Sequence, residues 1–206
     1  MKAKGPAFLI ILFICGVLLA FINNHPYEEL ALNSRVPKAE VKMKDVSGKT
    51  ISLSEATQKN GLLVIFTCNT CPYVVLSEAR IKEYTDLAIA NGVGCVLLNS
   101  NEAQRDDEDS FAEMSRYYKD KNLSCFYAVD EKSALADAFG AGRTPQCFLF
   151  NAEGKLVYKG AIDDNVKDVA AAKQHYLRDA INAVTKGEIP NVQQTKSIGC
   201  TIKRAG

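Results

Sequence analysis

The 206-residue chain contains no tryptophan, only two histidines, His25 and His175, and three methionines. Neither sign of charge dominates: 25 Lys and Arg face 24 Asp and Glu, for a net charge of +1. No basic stripe is present, so nucleic acid is not an expected partner. Internal repeats and low-complexity segments are also missing, which excludes solenoids and extended disordered tracts. No apolar run reaches the roughly 18 residues of an ordinary transmembrane helix. The longest, residues 7–22, follows Lys2 and Lys4. It reads as a secretory signal peptide or as a short uncleaved anchor. Ala20-Phe21-Ile22 lacks the small-x-small pattern of a cleavage site, and Ile14 is too bulky before Cys15 for a lipoprotein signal, so both outcomes stay open. Either outcome places the chain beyond the inner membrane, in the periplasm or attached to the membrane facing it, where disulfides persist.

What is present is ordinary for a globule: 47% hydrophobic and 24% charged residues. Four segments are expected: signal or anchor (1–24), a polar linker (25–36) set between Pro26 and Pro37, one domain (37–187) and a polar tail (188–206). Seven cysteines occur. Cys15 belongs to the leader. Cys95, Cys125 and Cys147 lie in strand-like runs and read as small buried hydrophobes. Cys68-Asn69-Thr70-Cys71 stands out. It ends the apolar run Leu62-Leu63-Val64-Ile65-Phe66 and opens an amphipathic stretch. This spacing serves zinc, haem or redox chemistry. Haem attachment is excluded by Pro72 where a histidine is required, and structural zinc needs more clustered ligands than this pair supplies. A strand-to-helix junction favours thiolate through the helix dipole, so redox exchange fits best.

The remaining pattern is α/β. A hairpin is expected around 46–49. The run 62–66, with no polar alternation, reads as a central strand buried on both faces. Further strands are expected at 93–99, 123–129, 146–150 and 155–158. Helices are expected after the cysteine pair, after the acidic run 106–109, from 130 or 133 to about 139, and over 166–186 with Val169 and Ala172 facing inward. The acidic run 106–109 reads as a solvated helix start.

Strand, CxxC, helix, then Thr144-Pro145 before a strand, a glycine hairpin and a closing helix together resemble the thioredoxin-like redoxin family, over about residues 37–186. The front hairpin, Phe66-Thr67-Cys68-Asn69-Thr70-Cys71-Pro72-Tyr73 and Gly160-Ala161-Ile162-Asp163-Asp164-Asn165 resemble an exported bacterial subgroup related to alkyl hydroperoxide reductases. The resemblance implies a three-layer α/β/α sandwich with an N-terminal β-hairpin extension. It also implies a thiol-disulfide oxidoreductase with no cofactor and no metal. Cys68, expected to lie exposed just before the helix and to be stabilised by its dipole, would attack a disulfide-bearing protein substrate; Cys71, expected one turn in, more buried and with the higher pKa, would resolve the mixed disulfide; and an upstream thiol reductant would restore the dithiol. Pro145 is similar to the family's cis-proline, and the Thr144 backbone beside it would pair with a substrate strand.

The chain also departs from the pattern. The strand before the CxxC carries no carboxylate, and no tryptophan precedes Cys68. Asp163 or Asp164 is the candidate replacement for the proton acceptor, Arg143 a candidate thiolate stabiliser, and Cys200, in a tail expected to be mobile, a candidate extra thiol. Two other readings fit the residues less well. A peroxiredoxin-like antioxidant peroxidase lacks the Pro-x-x-x-Thr-x-x-Cys setting. A copper carrier would need His175 as a ligand.

Overall fold

The computed structural model describes residues 27–205; the apolar stretch 7–22 and Cys15 lie outside them. Its elements run β1 (Met43–Lys44), β2 (Thr50–Ile51), α1 (Leu53–Ala56), β3 (Leu62–Thr67), α2 (Pro72–Val75), α3 (Glu78–Ala90), β4 (Gly94–Asn99), α4 (Phe111–Asp120), β5 (Phe126–Val129), α5 (Ala134–Phe139), β6 (Arg143–Thr144), β7 (Gln146–Phe150), β8 (Leu156–Gly160), α6 (Tyr176–Thr185) and β9 (Cys200–Thr201). The main sheet is ordered β5-β4-β3-β7-β8. β3 pairs in parallel with β4 and antiparallel with β7, so it is the central strand.

That position explains the unbroken apolar run of β3. Successive side chains point to opposite faces, and both faces are covered. Leu63 and Ile65 join a core with Ile81, Tyr84, Leu177 and Ile181 from α3 and α6. Leu62, Val64 and Phe66 join a second core with Leu53, Leu135 and Phe139 from α1 and α5. In this second core Phe66, Phe139, Phe148 and Phe150 pack edge to face, with centroids 5.2–5.9 Å apart. Such pairs add about 0.5–1.5 kcal/mol each beyond burial. The expected front hairpin is present as β1 and β2, joined through Met43↔Ile51 and Lys44↔Thr50. α1 begins with a reciprocal cap: Glu55 N donates to Ser52 Oγ, and Ser52 N donates to Glu55 Oε2. No helix among the described residues is long and apolar enough to cross a membrane.

Three segments differ from the sequence expectation. The expected linker is packed against the domain from residue 27 onward: Leu30 N donates to Phe139 O, Asn33 N to Leu156 O, and Leu30, Leu32 and Val36 cover the second core. The closing helix is only Tyr176–Thr185, and Val169 is exposed. The cause is a series of Asx side chains that take up backbone N–H groups. Asn165 Oδ1 accepts from Lys167 N and Asp168 N, Asp168 Oδ1 from Ala170 N and Ala171 N, and Asp164 Oδ1 from Lys173 N. Such local bonds compete with helix formation. Finally, the tail is anchored along much of its length, as described below.

Candidate active site

Cys68 follows β3 directly, and Cys71 is the N-cap of α2, with Pro72 in the first helical turn, where its missing N–H is no loss. The loop between them is pinned from below. Asn69 N donates to Asp109 Oδ1 at 2.9 Å, Asn69 Nδ2 to Glu108 O at 2.7 Å, and the Tyr127 hydroxyl to Asn69 Oδ1 at 2.8 Å. Asp109 is fully buried and also accepts from Asn99 Nδ2 at 2.7 Å and Asn101 Nδ2 at 2.8 Å. The solvated helix start expected at 106–109 is therefore corrected at its last residue: Ser110, not Asp109, caps α4, and Asp109 turns inward to three donors. The sequence offered one signal for this, the unpaired polar residues Asn99 and Asn101 at the end of an apolar strand.

The Thr144–Pro145 peptide is cis and faces the pair. Cys68 Sγ lies 3.5 Å from Thr144 Oγ1, and Cys71 Sγ donates to Thr144 O at 3.2 Å. Cys68, Cys71, Thr144 and Pro145 are thus brought together, all of them buried. Cys68 is 2% and Cys71 5% exposed, so the expectation of an exposed Cys68 above a buried Cys71 does not hold. Their electrostatics also run opposite to expectation. The Cys71 thiol is held well below the ordinary thiol range, chiefly by a hydrogen bond from Cys68. Burial opposes this, while the Cys200 thiol and the N–H groups of Val74 and Cys200 reinforce it. Cys68 is pushed up, first by that same bond to Cys71, then by burial and by the Asp109 charge, against the Thr144 hydroxyl. Each sulfur also receives a backbone N–H, Cys71 from Val74 in the first turn of α2 and Cys68 from Cys71.

Other candidates are engaged elsewhere. Asp163 forms a buried ion pair with Arg80 and accepts from Asn165 N at 3.0 Å. Asp164 is exposed and caps Lys173. Neither carboxylate hydrogen-bonds to the cysteines, because the Asx turns of 163–168 direct both into their own loop and α3. Arg143 is exposed and donates to Gly199 O at 3.3 Å and Thr201 Oγ1 at 3.1 Å, so its charge serves the tail. His175 Nδ1 is 3.1 Å from the Tyr84 hydroxyl. Among the described residues no group of three or more His, Cys, Asp or Glu side chains is arranged to hold a metal ion.

Cys200 is held in a strand: β9 pairs antiparallel with β6, with Thr144 opposite Cys200, and Cys200 packs against the core that contains Cys68 and Cys71. The backbone edge expected to receive substrate is occupied by the chain itself. On the other flank an open groove of about 780 Å³ borders Asn69 and Thr70, lined further by Glu108, Arg116, Tyr117 and Asp120.

Replacing Asp109 with Asn tests the support below the loop. One of three convergent donors would face an amide N–H₂ instead of an oxygen, which costs about 1–3 kcal/mol for a buried unsatisfied group. Removing the charge that raises Cys68 also moves its thiol down. Urea unfolding and the pH dependence of Cys68 alkylation read the two effects. An unchanged midpoint and profile would show that Asp109 supports neither.

A sheet ordered β5-β4-β3-β7-β8, a cysteine pair at the end of its central strand and a cis X-Pro bond facing that pair define a thioredoxin-like redox protein. Residues 31–175 match the Redoxin family model, and the chain belongs to the Redoxin family. It is similar to a hypothetical protein of Sinorhizobium meliloti, with 31% identity, 87% of this chain and 97% of that chain covered, and a TM-score of 0.78. An uncharacterized conserved protein of Geobacillus kaustophilus is 27% identical, covers 85% of this chain and 93% of its own, and has a TM-score of 0.79. A secreted disulfide oxidoreductase of Mycobacterium tuberculosis shares the fold at 13% identity, with 70% and 96% covered and a TM-score of 0.54. No curated protein matches the chain.

Proposed function

We propose that the protein is a thiol-disulfide oxidoreductase that exchanges the Cys68–Cys71 dithiol with disulfides of protein substrates outside the cytoplasm, secreted or held at the membrane through residues 7–22. The observation that carries the reading is the three-way contact of Cys68, Cys71 and Thr144. It joins two neighbouring thiols, Cys68 at the Thr144 hydroxyl and Cys71 at the Thr144 carbonyl of the cis X-Pro peptide.

The shared bond supplies what the carboxylate-free strand lacks. With Cys71 as thiolate, the Cys68 proton has an acceptor in direct contact, and its transfer makes Cys68 the nucleophile. Cys68 attacks one sulfur of the substrate disulfide; a Cys68–substrate bond forms and the substrate's other sulfur leaves as thiolate, taking up a proton. Cys71, deprotonated again, attacks Cys68 Sγ, forming the Cys68–Cys71 disulfide and releasing the second substrate thiol. The chain is oxidised by two electrons and the substrate is reduced by two. A dithiol reductant restores the chain. Cys71 has sulfur neighbours on both sides, Cys68 and Cys200, which suits the resolving role. Cys68 is the end of that row and suits attack. The groove lined by Asn69 and Thr70, the two residues between the cysteines, offers the substrate segment a seat beside the pair. Peroxide reduction has no comparable support, since Arg143 is turned to the tail.

The pH dependence is specific. Reduced protein keeps one thiolate as pH falls below the ordinary thiol range, because the folded pKa of Cys71 is depressed. Ultraviolet thiolate absorbance as a function of pH measures it. Cys68→Ala removes the donor that contributes most to the depression, so the transition moves up toward an ordinary thiol. A wild-type titration in the ordinary thiol range, unmoved by Cys68→Ala, would contradict the shared-proton pair.

A further inference from the structure

Cys200 and the strand that carries it are not used by the two-thiol cycle, yet the sequence fixes their position on both sides. Upstream, Lys159 N donates to Gln193 O and Thr195 N to Lys159 O. Thr195 Oγ1 accepts from Ala161 N at 2.9 Å, and a Cβ on Gly160 would stand 2.2 Å from it. Downstream, Ile202 is buried, its N–H donates to Gly142 O, Lys203 N donates to Asn101 Oδ1, and Arg204 pairs with Asp137 at 2.8 Å. Immediately before Cys200, a Cβ on residue 199 would lie 2.2 Å from Thr144 O, so only glycine allows the tail to approach this closely. The result is a strand laid along β6 with a thiol against Cys71. Its path is that of the substrate strand expected at this edge.

We propose that Cys200 is a third redox thiol: by exchange with the Cys68–Cys71 disulfide it forms a Cys71–Cys200 disulfide, which is the form the dithiol reductant attacks. This rests on the proposed thiol-disulfide function and names the site of its regenerating half-reaction. In the exchange the Cys200 thiolate attacks Cys71 Sγ. The Cys71–Cys200 bond forms as the Cys68–Cys71 bond breaks, and Cys68 leaves as thiolate and takes the proton that Cys200 gave up. No electrons enter or leave the chain. The disulfide has then moved from two buried sulfurs to one that includes the partly exposed Cys200. A thiolate of the reductant attacks Cys200 Sγ, and Cys71 departs. Its depressed pKa makes it the better leaving group. The reductant's second thiol then frees Cys200, so the reductant gains the disulfide and the chain regains three thiols.

The test is disulfide mapping of the full chain without substrate. Wild-type and Cys68→Ser proteins are oxidised with stoichiometric diamide, held at mildly alkaline pH, quenched with acid, alkylated, digested and analysed by mass spectrometry. The expected result is a Cys71–Cys200 linked peptide beside Cys68–Cys71 in the wild type, and Cys71–Cys200 as the sole linkage in Cys68→Ser. Absence of the linkage from both proteins, with Cys200 recovered alkylated, overturns the proposal. If Cys68→Ser does not fold, the wild-type map alone decides by the same criterion. Because no substrate enters the assay, the outcome is independent of disulfide turnover, whose own failure would instead remove the proposed function.

Discussion

Cys68→Ser abolishes reduction of a disulfide-linked peptide, leaving only the rate of the reductant alone, whereas Cys71→Ser stops after the first step with the substrate covalently held on Cys68. The asymmetry follows from the row of sulfurs. Without Cys68 the sulfur that opens the exchange is gone. Without Cys71 the attacking sulfur is intact; it loses its proton acceptor but also the bond that raised it most, so it attacks as its own thiolate at alkaline pH, while the neighbour that would release the substrate is gone and Cys200 adjoins Cys71 rather than Cys68. The trapped adduct appears on a non-reducing gel as a substrate-sized shift that a small thiol removes. Activity persisting in Cys68→Ser would reverse the assignment of attack and resolution.

The second large effect is on stability. Arg80 and Asp163 are 2% and 3% exposed and paired with each other. Arg80 also donates to Leu76 O, Asn165 O and Val166 O, at 2.8, 2.9 and 3.0 Å. One guanidinium thus ties the end of α2, the start of α3 and the loop before α6. Asp163→Ala leaves that cation buried without its counter-charge, and breaking such a pair costs about 3–5 kcal/mol. A domain of this size has about 5–15 kcal/mol in total, so the loss is at least about a fifth of it and the urea midpoint of the variant falls in proportion. A loss of under about 1 kcal/mol would mean that the ion pair contributes little to holding the fold. The same geometry explains why Asp163 is not free to serve the cysteines.

Much of the architecture is legible in local pattern. The unbroken apolar run of β3, the glycine turn at Asn151-Ala152-Glu153-Gly154 and the Asn91-Gly92 helix end each specify one element, and each is present. The cysteine pair and Thr144-Pro145 are legible as motifs, and the fold brings them into contact. What was not legible depends on distant partners. Asp109 looks like one of several solvated acids until Asn69, Asn99 and Asn101 converge on it from other elements. The last helix loses its first half because Asn165 and Asp168 bond their own backbone, a competition that apolar periodicity does not register. Cys200 looks free because nothing around it in sequence is periodic. Its strand exists only through pairing with β6, and its fit depends on Gly199 lying against Thr144. Which sulfur holds the charge likewise depends on distant partners, Asp109 raising Cys68 and Cys200 lowering Cys71 beside the bond between the two.

The central claim is that Cys68 and Cys71 form a reversible disulfide that trades with protein disulfides. A redox titration of the full chain tests it most directly. The protein is equilibrated in dithiothreitol buffers of graded oxidation, acid-quenched, alkylated and mapped. The account predicts one reversible two-electron transition in which Cys71 loses alkylation together with Cys68, or with Cys200 in the fraction where the disulfide has moved, while Cys95, Cys125 and Cys147 stay buried and reduced throughout. Cys68 and Cys71 remaining alkylated as separate thiols across the whole range, or a transition carried by other cysteines, would contradict it.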